Sequence, residues 1–281
     1  MFNNSMMKHR LFFLKAILTL LKTGIRALTI IAIQSRCLTM AAISFLTQTE
    51  AQQIDNELFT EYGFSVDQLM ELAGLSCATA ISKAYPLDQL PINNGSLLVC
   101  CGPGNNGGDG LVCARHLKLF GYNPTVYYPR TPTKQLYKNL VLQCAKMDVP
   151  FLRDLPSESG QFGASYNLIV DALFGFGFKP PVSTEFRGLL DLMCQATVPV
   201  VSIDVPSGWH VEANVGEVDF GKSINPDCLI SLTAPKLCAR TFRGRFHFLG
   251  GRFVPNALAA KYRLQLPAYP GTEQCVRLLN T

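Results

Sequence analysis

The first 49 residues contain no aspartate or glutamate, and Glu50 is the first acid of the chain. The same stretch holds Lys8, Arg10, Lys15, Lys22, Arg26 and Arg36, so the formal charge of +5 is unevenly placed. With those six set aside, 19 of the 25 bases face 20 acids, which leaves the body of the chain near neutral. That body lacks the basic excess a nucleic-acid partner requires. Long hydrophobic runs are missing too. The apolar stretches at 11–14, 16–21 and 27–33 are broken by Lys15, Lys22 and Arg26, far short of the ~20 residues of a membrane span, which argues against stable membrane anchoring. Ten cysteines include no Cys-x-x-Cys pair, and Cys100 and Cys101 sit in an apolar run. This composition indicates a reducing compartment, with neither a disulfide framework nor a zinc site. His9, His116, His210 and His247 show no metal-ligand spacing, and nothing supports a Ser-His or Cys-His nucleophile. Repeats, low-complexity linkers and a second globular domain are also lacking.

The leader that remains has a logic of its own. At ~100° per residue, Lys8, Lys15, Lys22 and Arg26 fall within about 40° of one another on a helix. A basic amphipathic helix without acids indicates a mitochondrial presequence over 1–40, cleaved near 36–40. Met40 offers an alternative start for a cytosolic form. A secretory signal or membrane anchor, or an inert extension, is the rival reading. The globular domain is then 41–281.

Within it, Thr47-x-x-Glu50 and Ser65-x-x-Gln68 each fit a capping box, predicting helices over 48–59 and 66–84. A small-residue face (Ala73, Gly74, Cys77, Ala78) marks the second helix for close packing, and Glu71 beside it is a weak site candidate. Strands and helices then alternate: strand 96–101, helix 111–120, strand 124–128, helix 134–146, strand 166–171, helix 186–195, strand 198–204 and strand 228–233. The strands are continuous apolar runs, as burial on both faces requires. The expected fold is α/β, a Rossmann-like three-layer sandwich on a mostly parallel, doubly wound sheet.

Ligands of such sheets bind beyond the carboxyl ends of the strands. Four loops meet there. Strand 96–101 is followed by Gly-Pro-Gly-Asn-Asn-Gly-Gly-Asp-Gly (102–110). Asp171 opens a segment leading to Phe-Gly-Phe-Gly-Phe-Lys-Pro-Pro (174–181), Asp204 precedes Val-Pro-Ser-Gly-Trp, and Ala-Pro-Lys ends at Lys236. Gly102-x-Gly104-x-x-Gly107 satisfies a dinucleotide fingerprint formally, but Asp109 would partly oppose a phosphate, and Pro129-Arg130 stands where the ribose-binding acid belongs. An NADP-dependent oxidoreductase using Arg130 is one alternative. The expectation drawn from the loop is that its glycines let the backbone approach a ligand. Lys179 is either a phosphate contact or a surface lysine. Asp204 is a candidate general acid/base, with a turn-forming role as its rival. Trp209, the single tryptophan, is read as packing.

These four motifs, in this order, closely resemble the NAD(P)H-hydrate epimerase family, also known in animals as apolipoprotein A-I-binding protein. The resemblance covers about 45–279, including the tail segments 247–255 and 266–270. It implies a homodimer that interconverts the R and S hydrates of NADH and NADPH (NADHX and NADPHX), in partnership with an ATP- or ADP-dependent dehydratase. It implies substrate binding by Asn105, Asn106, Gly107, Gly108 and Asp109, by Gly175, Phe176, Gly177, Phe178, Lys179, Pro180 and Pro181, and by Asp204, the presumed catalytic residue. It implies a potassium ion at Asn106, Asp171 and Ser207. Hard oxygen ligands of this kind suit a hard cation. A non-enzymatic binding role on the same fold, such as apolipoprotein A-I binding, is the second alternative.

Overall fold

The computed structural model describes residues 43–130, 132–155, 164–212 and 223–278, so the presequence reading of 1–40 lies outside it. Two helices come first, α1 (Gln48–Thr60) and α2 (Val66–Ala84). Both expected capping boxes are formed. The Thr47 and Ser65 hydroxyls accept from the amides of Glu50 and Gln68, whose side chains accept from the cap amides in return. Then follow β1 (Ser96–Cys101), α3 (Asn105–Leu119), β2 (Asn123–Tyr127), α4 (Gln135–Lys146), β3 (Phe151–Leu152), β4 (Ile169–Ala172) and α5 (Thr184–Cys194). The chain continues through β5 (Val200–Ile203), β6 (Cys228–Leu232), β7 (Phe246–Gly250), α6 (Asn256–Lys261) and β8 (Val276–Leu278).

The eight strands form one sheet in the order β3-β2-β1-β4-β5-β6-β7-β8. Every pairing is parallel except β7–β8. The alternation of side chains along a strand builds the three layers. Leu97, Val99 and Cys101 of β1 pack with Ala73, Cys77, Leu111 and Leu117 from α2 and α3. Leu98 and Cys100 point the other way, into a cluster with Phe186, Leu189 and Met193 of α5. All six residues of β1 are buried, which explains its unbroken apolar run. Each buried leucine contributes ~1.5–3 kcal/mol. A third cluster joins Ile54 and Leu58 of α1 to Ala234 and Leu258.

The chain winds outward from β1 to β3 and then returns, placing β4 on the other side of β1. The direction of winding reverses between β1 and β4, and the crevice for a ligand in a doubly wound sheet opens at such a point. The small-residue face of α2 does pack closely. A Cβ on Gly74 would lie 2.4 Å from Val112. Glu71 is drawn off to pair with Arg115 and with His116 at 2.7 Å, away from the crevice.

Candidate active site

Four segments at the carboxyl edge meet around a cavity of about 370 Å³, within the range of small-molecule sites. One wall comes from Pro103, Gly104, Asn105, Asn106 and Asp109, a second from the segment 173–178, and the floor from Asp204, Thr233 and Lys236. Phe59, Val66, Leu69, Met70 and Phe253 add an apolar side.

The glycine-rich segment is not a loop. α3 begins at Asn105, six residues earlier than expected, with Gly104 at its N-cap. The glycines that depress helix propensity are required by packing. A Cβ on Gly102 would lie 1.9 Å from the Leu173 carbonyl oxygen, and one on Gly107 would lie 1.8 Å from that of Gly102. Gly108 sits against Met70 and Gly110 against Ala172. These glycines therefore let the chain approach itself, and Gly107 and Gly108 stand outside the cavity wall. Gly104 alone fits the original expectation, since it lines the cavity and a Cβ there would meet nothing within 4 Å. Asn105 is oriented by Tyr137, whose hydroxyl donates to Oδ1 at 2.7 Å.

Asp204 follows β5 with φ at +67°, a left-handed conformation that aspartate tolerates better than most residues. Its amide donates to the Ile230 carbonyl at 2.7 Å, which pins the turn. Lys236 Nζ donates to Asp204 Oδ1 at 2.5 Å and to the Leu232 carbonyl at 2.8 Å. The Phe176 amide donates to Asp204 Oδ2 at 2.8 Å. Lys236 is 1% exposed and Asp204 4%, so this is a buried ion pair at the cavity floor. The ammonium also lies 5.1 Å from the centre of the Phe176 ring.

The 174–178 segment is stacked and tethered. Phe174 and Phe178 stack at 4.9 Å. Gln48 Nε2, at the start of α1, donates to the carbonyls of Phe176 and Phe178 at 2.6 and 3.0 Å. Gly175 is needed here, because a Cβ would lie 2.9 Å from Asp204 Oδ2 and 3.1 Å from Asn106 Oδ1. Lys179, Pro180 and Pro181 lie beyond the wall and are exposed. Trp209 packs as expected, donating from Nε1 to the Ile224 carbonyl at 3.0 Å.

Asp171 is wholly buried beneath the cavity. Its oxygens accept from Ser202 Oγ at 2.8 Å, from the Ser207 amide at 2.9 Å and hydroxyl at 2.5 Å, and from the Leu173 amide at 3.3 Å. Burial pushes its pKa up, and these four bonds oppose the rise. All four donors are neutral, so among the described residues the carboxylate makes no ion pair. Ser207 Oγ also accepts from the Phe174 amide at 3.0 Å, and the buried Asn106 Nδ2 has no partner among the described residues. A buried acid that no cationic side chain offsets, with the Ser207 hydroxyl against it, offers oxygen donors that suit a monovalent cation, whereas the orphaned Asn106 Nδ2 is a donor and could only face an acceptor.

Two cavity acids carry further shifts. Burial, followed by the neighbouring Asp204 and Asp55, pushes Asp109 well up. Burial raises Asp55 to about 6, with Lys236 opposing and Asp204 adding. Sequence reasoning passed over Asp55 altogether. Its signal was there: Ala51, Ile54 and Leu58 are the buried stripe of α1, and position 55 completes that stripe at the spacing of an amphipathic helix. An aspartate there is out of pattern. Lys236 stood in a noted motif, but no local pattern revealed its partner 32 residues away.

The crystal structure of yeast ynu0, YNL200c, is 42% identical to this chain, covers 84% of it and all of the yeast chain, and superposes with a TM-score of 0.78. Two further structures match much more weakly. The eIF2B-beta2-delta2 complex of C. thermophilum is 14% identical over 53% of this chain and 42% of its own, with a TM-score of 0.32. A transhydrogenase from Sinorhizobium meliloti is 18% identical over 55% and 47%, with a TM-score of 0.31. Residues 66–238, which carry all four loops of the site, match the family described as YjeF-related protein N-terminus. The chain belongs to that family, the family of the NAD(P)HX epimerases.

Proposed function

We propose that this chain is an isomerase that interconverts the R and S forms of NADHX and NADPHX. The observation that carries the proposal is the buried Asp204–Lys236 pair at the floor of an aromatic-walled cavity, at the point where the sheet reverses its winding. The substrate's C6 carbon bears a hydroxyl and is bonded to ring nitrogen. Loss of that hydroxyl as water, driven by the nitrogen lone pair, leaves a planar C6, and water returning on the other face inverts it. Asp204 lines the cavity where it can take the proton of the returning water, and Lys236 fixes its position through the contact to Oδ1. The phenylalanines of 174–178 exclude bulk water and face the ring.

Asn106, Asp171 and Ser207 would hold the potassium ion, which when bound would supply positive charge beside these buried acids. We further propose a homodimer working in mitochondria, upstream of a dehydratase that accepts one epimer. The reading is tested with the purified protein, the epimer that such a dehydratase rejects, that dehydratase, ATP and potassium. Recovery of nicotinamide absorbance that accelerates with added protein supports it. No acceleration over spontaneous epimerisation, from folded protein, moves the weight to a binding role.

A further inference from the structure

We propose that Asp55 is a second catalytic carboxylate, delivering the proton to the departing C6 hydroxyl while Asp204 receives the proton of the incoming water. This rests on the epimerase reading and divides its acid and base work between two residues.

The geometry comes first. Ala51, Ile54 and Leu58 turn one stripe of α1 into the core, and Asp55 lies on that stripe, one turn beyond Ala51. Packing alone would place an apolar residue there. Its carboxylate instead lines the cavity with Asp204 and Lys236. No hydrogen bond or ion pair ties Asp55 down among the described residues, so its oxygens are free for a ligand. The helix is also keyed to the lysine that pairs with Asp204. The Leu46 amide donates to the Pro235 carbonyl at 2.8 Å, and the Leu237 amide donates to the Leu46 carbonyl at 3.0 Å, bracketing Lys236 two residues before α1 begins.

The electrostatics agree. Lys236, Asp204 and Asp109 are the charged or titratable groups that act on Asp55 and its cavity. Lys236 is engaged by Asp204, with Nζ 2.5 Å from Oδ1. Asp55 has only burial and like charges to contend with beyond that lysine, and keeps its proton to about pH 6. A donor with a pKa near the working pH transfers protons efficiently. Asp109 is held so far up that it releases its proton less readily.

The step balances. The C6–O bond breaks as Asp55 protonates the hydroxyl, and water leaves. The ring nitrogen supplies the electron pair and becomes an iminium. Incoming water forms the new C6–O bond and gives one proton to Asp204. That proton returns to Asp55 through solvent in the cavity, and nothing is oxidised or reduced. The opposite direction exchanges the two roles.

The test compares wild type, Asp55→Asn, Asp55→Glu and Asp109→Asn in the full chain, each supplied with one NADHX epimer across pH 5–9. Wild-type kcat/KM is expected to fall as pH rises through about 6, as the acid is lost. Asp55→Asn is expected to lower kcat by 10²–10⁴-fold, leave KM within about threefold and abolish that alkaline limb. Asp55→Glu is expected to restore part of the rate. An Asp55→Asn enzyme with kcat within about threefold of wild type overturns the inference and leaves the epimerase reading standing. So does a change confined to KM, or an alkaline limb that vanishes in Asp109→Asn instead. A wild type with no epimerase activity overturns both.

Discussion

Lys236 Nζ stands 2.5 Å from Asp204 Oδ1, with both side chains almost wholly withdrawn from solvent. Removing either partner strands a buried charge. Asp204→Asn and Lys236→Met are each expected to cost ~3–5 kcal/mol of unfolding free energy. The double variant, which strands no charge, is expected to lie within ~1–2 kcal/mol of wild type while remaining inactive. Urea denaturation paired with the epimerisation assay checks both halves. If the double variant is no more stable than the singles, the pair is not what holds the floor together.

A second expectation concerns the glycines. Gly102→Ala and Gly107→Ala place a Cβ within 1.9 Å of backbone carbonyl oxygens that have no room to move. Each is expected to cost more than ~3 kcal/mol or to prevent folding. Gly104→Ala meets open space and is expected to shift stability by less than ~1 kcal/mol, with its effect falling on substrate binding. Unchanged stability at all three positions, with substrate binding weakened equally, would return the segment to a single ligand-binding role.

The contrast shows what was legible in the sequence. The sheet was, because buried parallel strands read as continuous apolar runs, and β1 coincides with its expected limits at 96–101. Both capping boxes were, because their partners lie three residues apart. The start of α3 was not. Glycine propensity argues against a helix through 105–110, and the contacts with Leu173, Met70 and Ala172 that override it come from distant parts of the chain. The short β3 and β8 leave too little pattern to read, and β7 was seen only as part of a familiar tail. Within the site, Asp204 and Asn106 were visible from their motifs. The Lys236 partnership was not, because burial and pairing are tertiary facts.

A third expectation tests the cation. Asp171 meets only neutral donors, so a bound potassium ion would stabilise the folded state by mass action. At potassium concentrations about 100-fold above Kd, the gain over a bulky organic cation is expected to be ~2.7 kcal/mol. It is expected to vanish in Asp171→Asn, which removes the charge and turns an amide nitrogen toward two of the four existing donors. Superimposable thermal unfolding curves in the two salts would count against a potassium site here.

Asp55 makes the last expectation, one of stability. Its folded pKa of about 6 exceeds the ordinary 3.8, so the native state binds this proton more tightly than the unfolded chain. Its contribution to stability is therefore full below pH ~4 and is lost as pH rises through ~6. Asparagine has nearly the same shape and does not titrate. The stability of Asp55→Asn relative to wild type should thus climb between pH 4 and 7 and then level off. Allowing for partial solvation through the cavity, the climb is about 1–2 kcal/mol, or roughly 2–8 °C in Tm. A variant that gains stability at neutral pH while losing turnover is the behaviour expected of a charge kept for chemistry rather than for folding. A stability difference that stays flat from pH 4 to 7 would show that Asp55 is solvated like an ordinary surface acid.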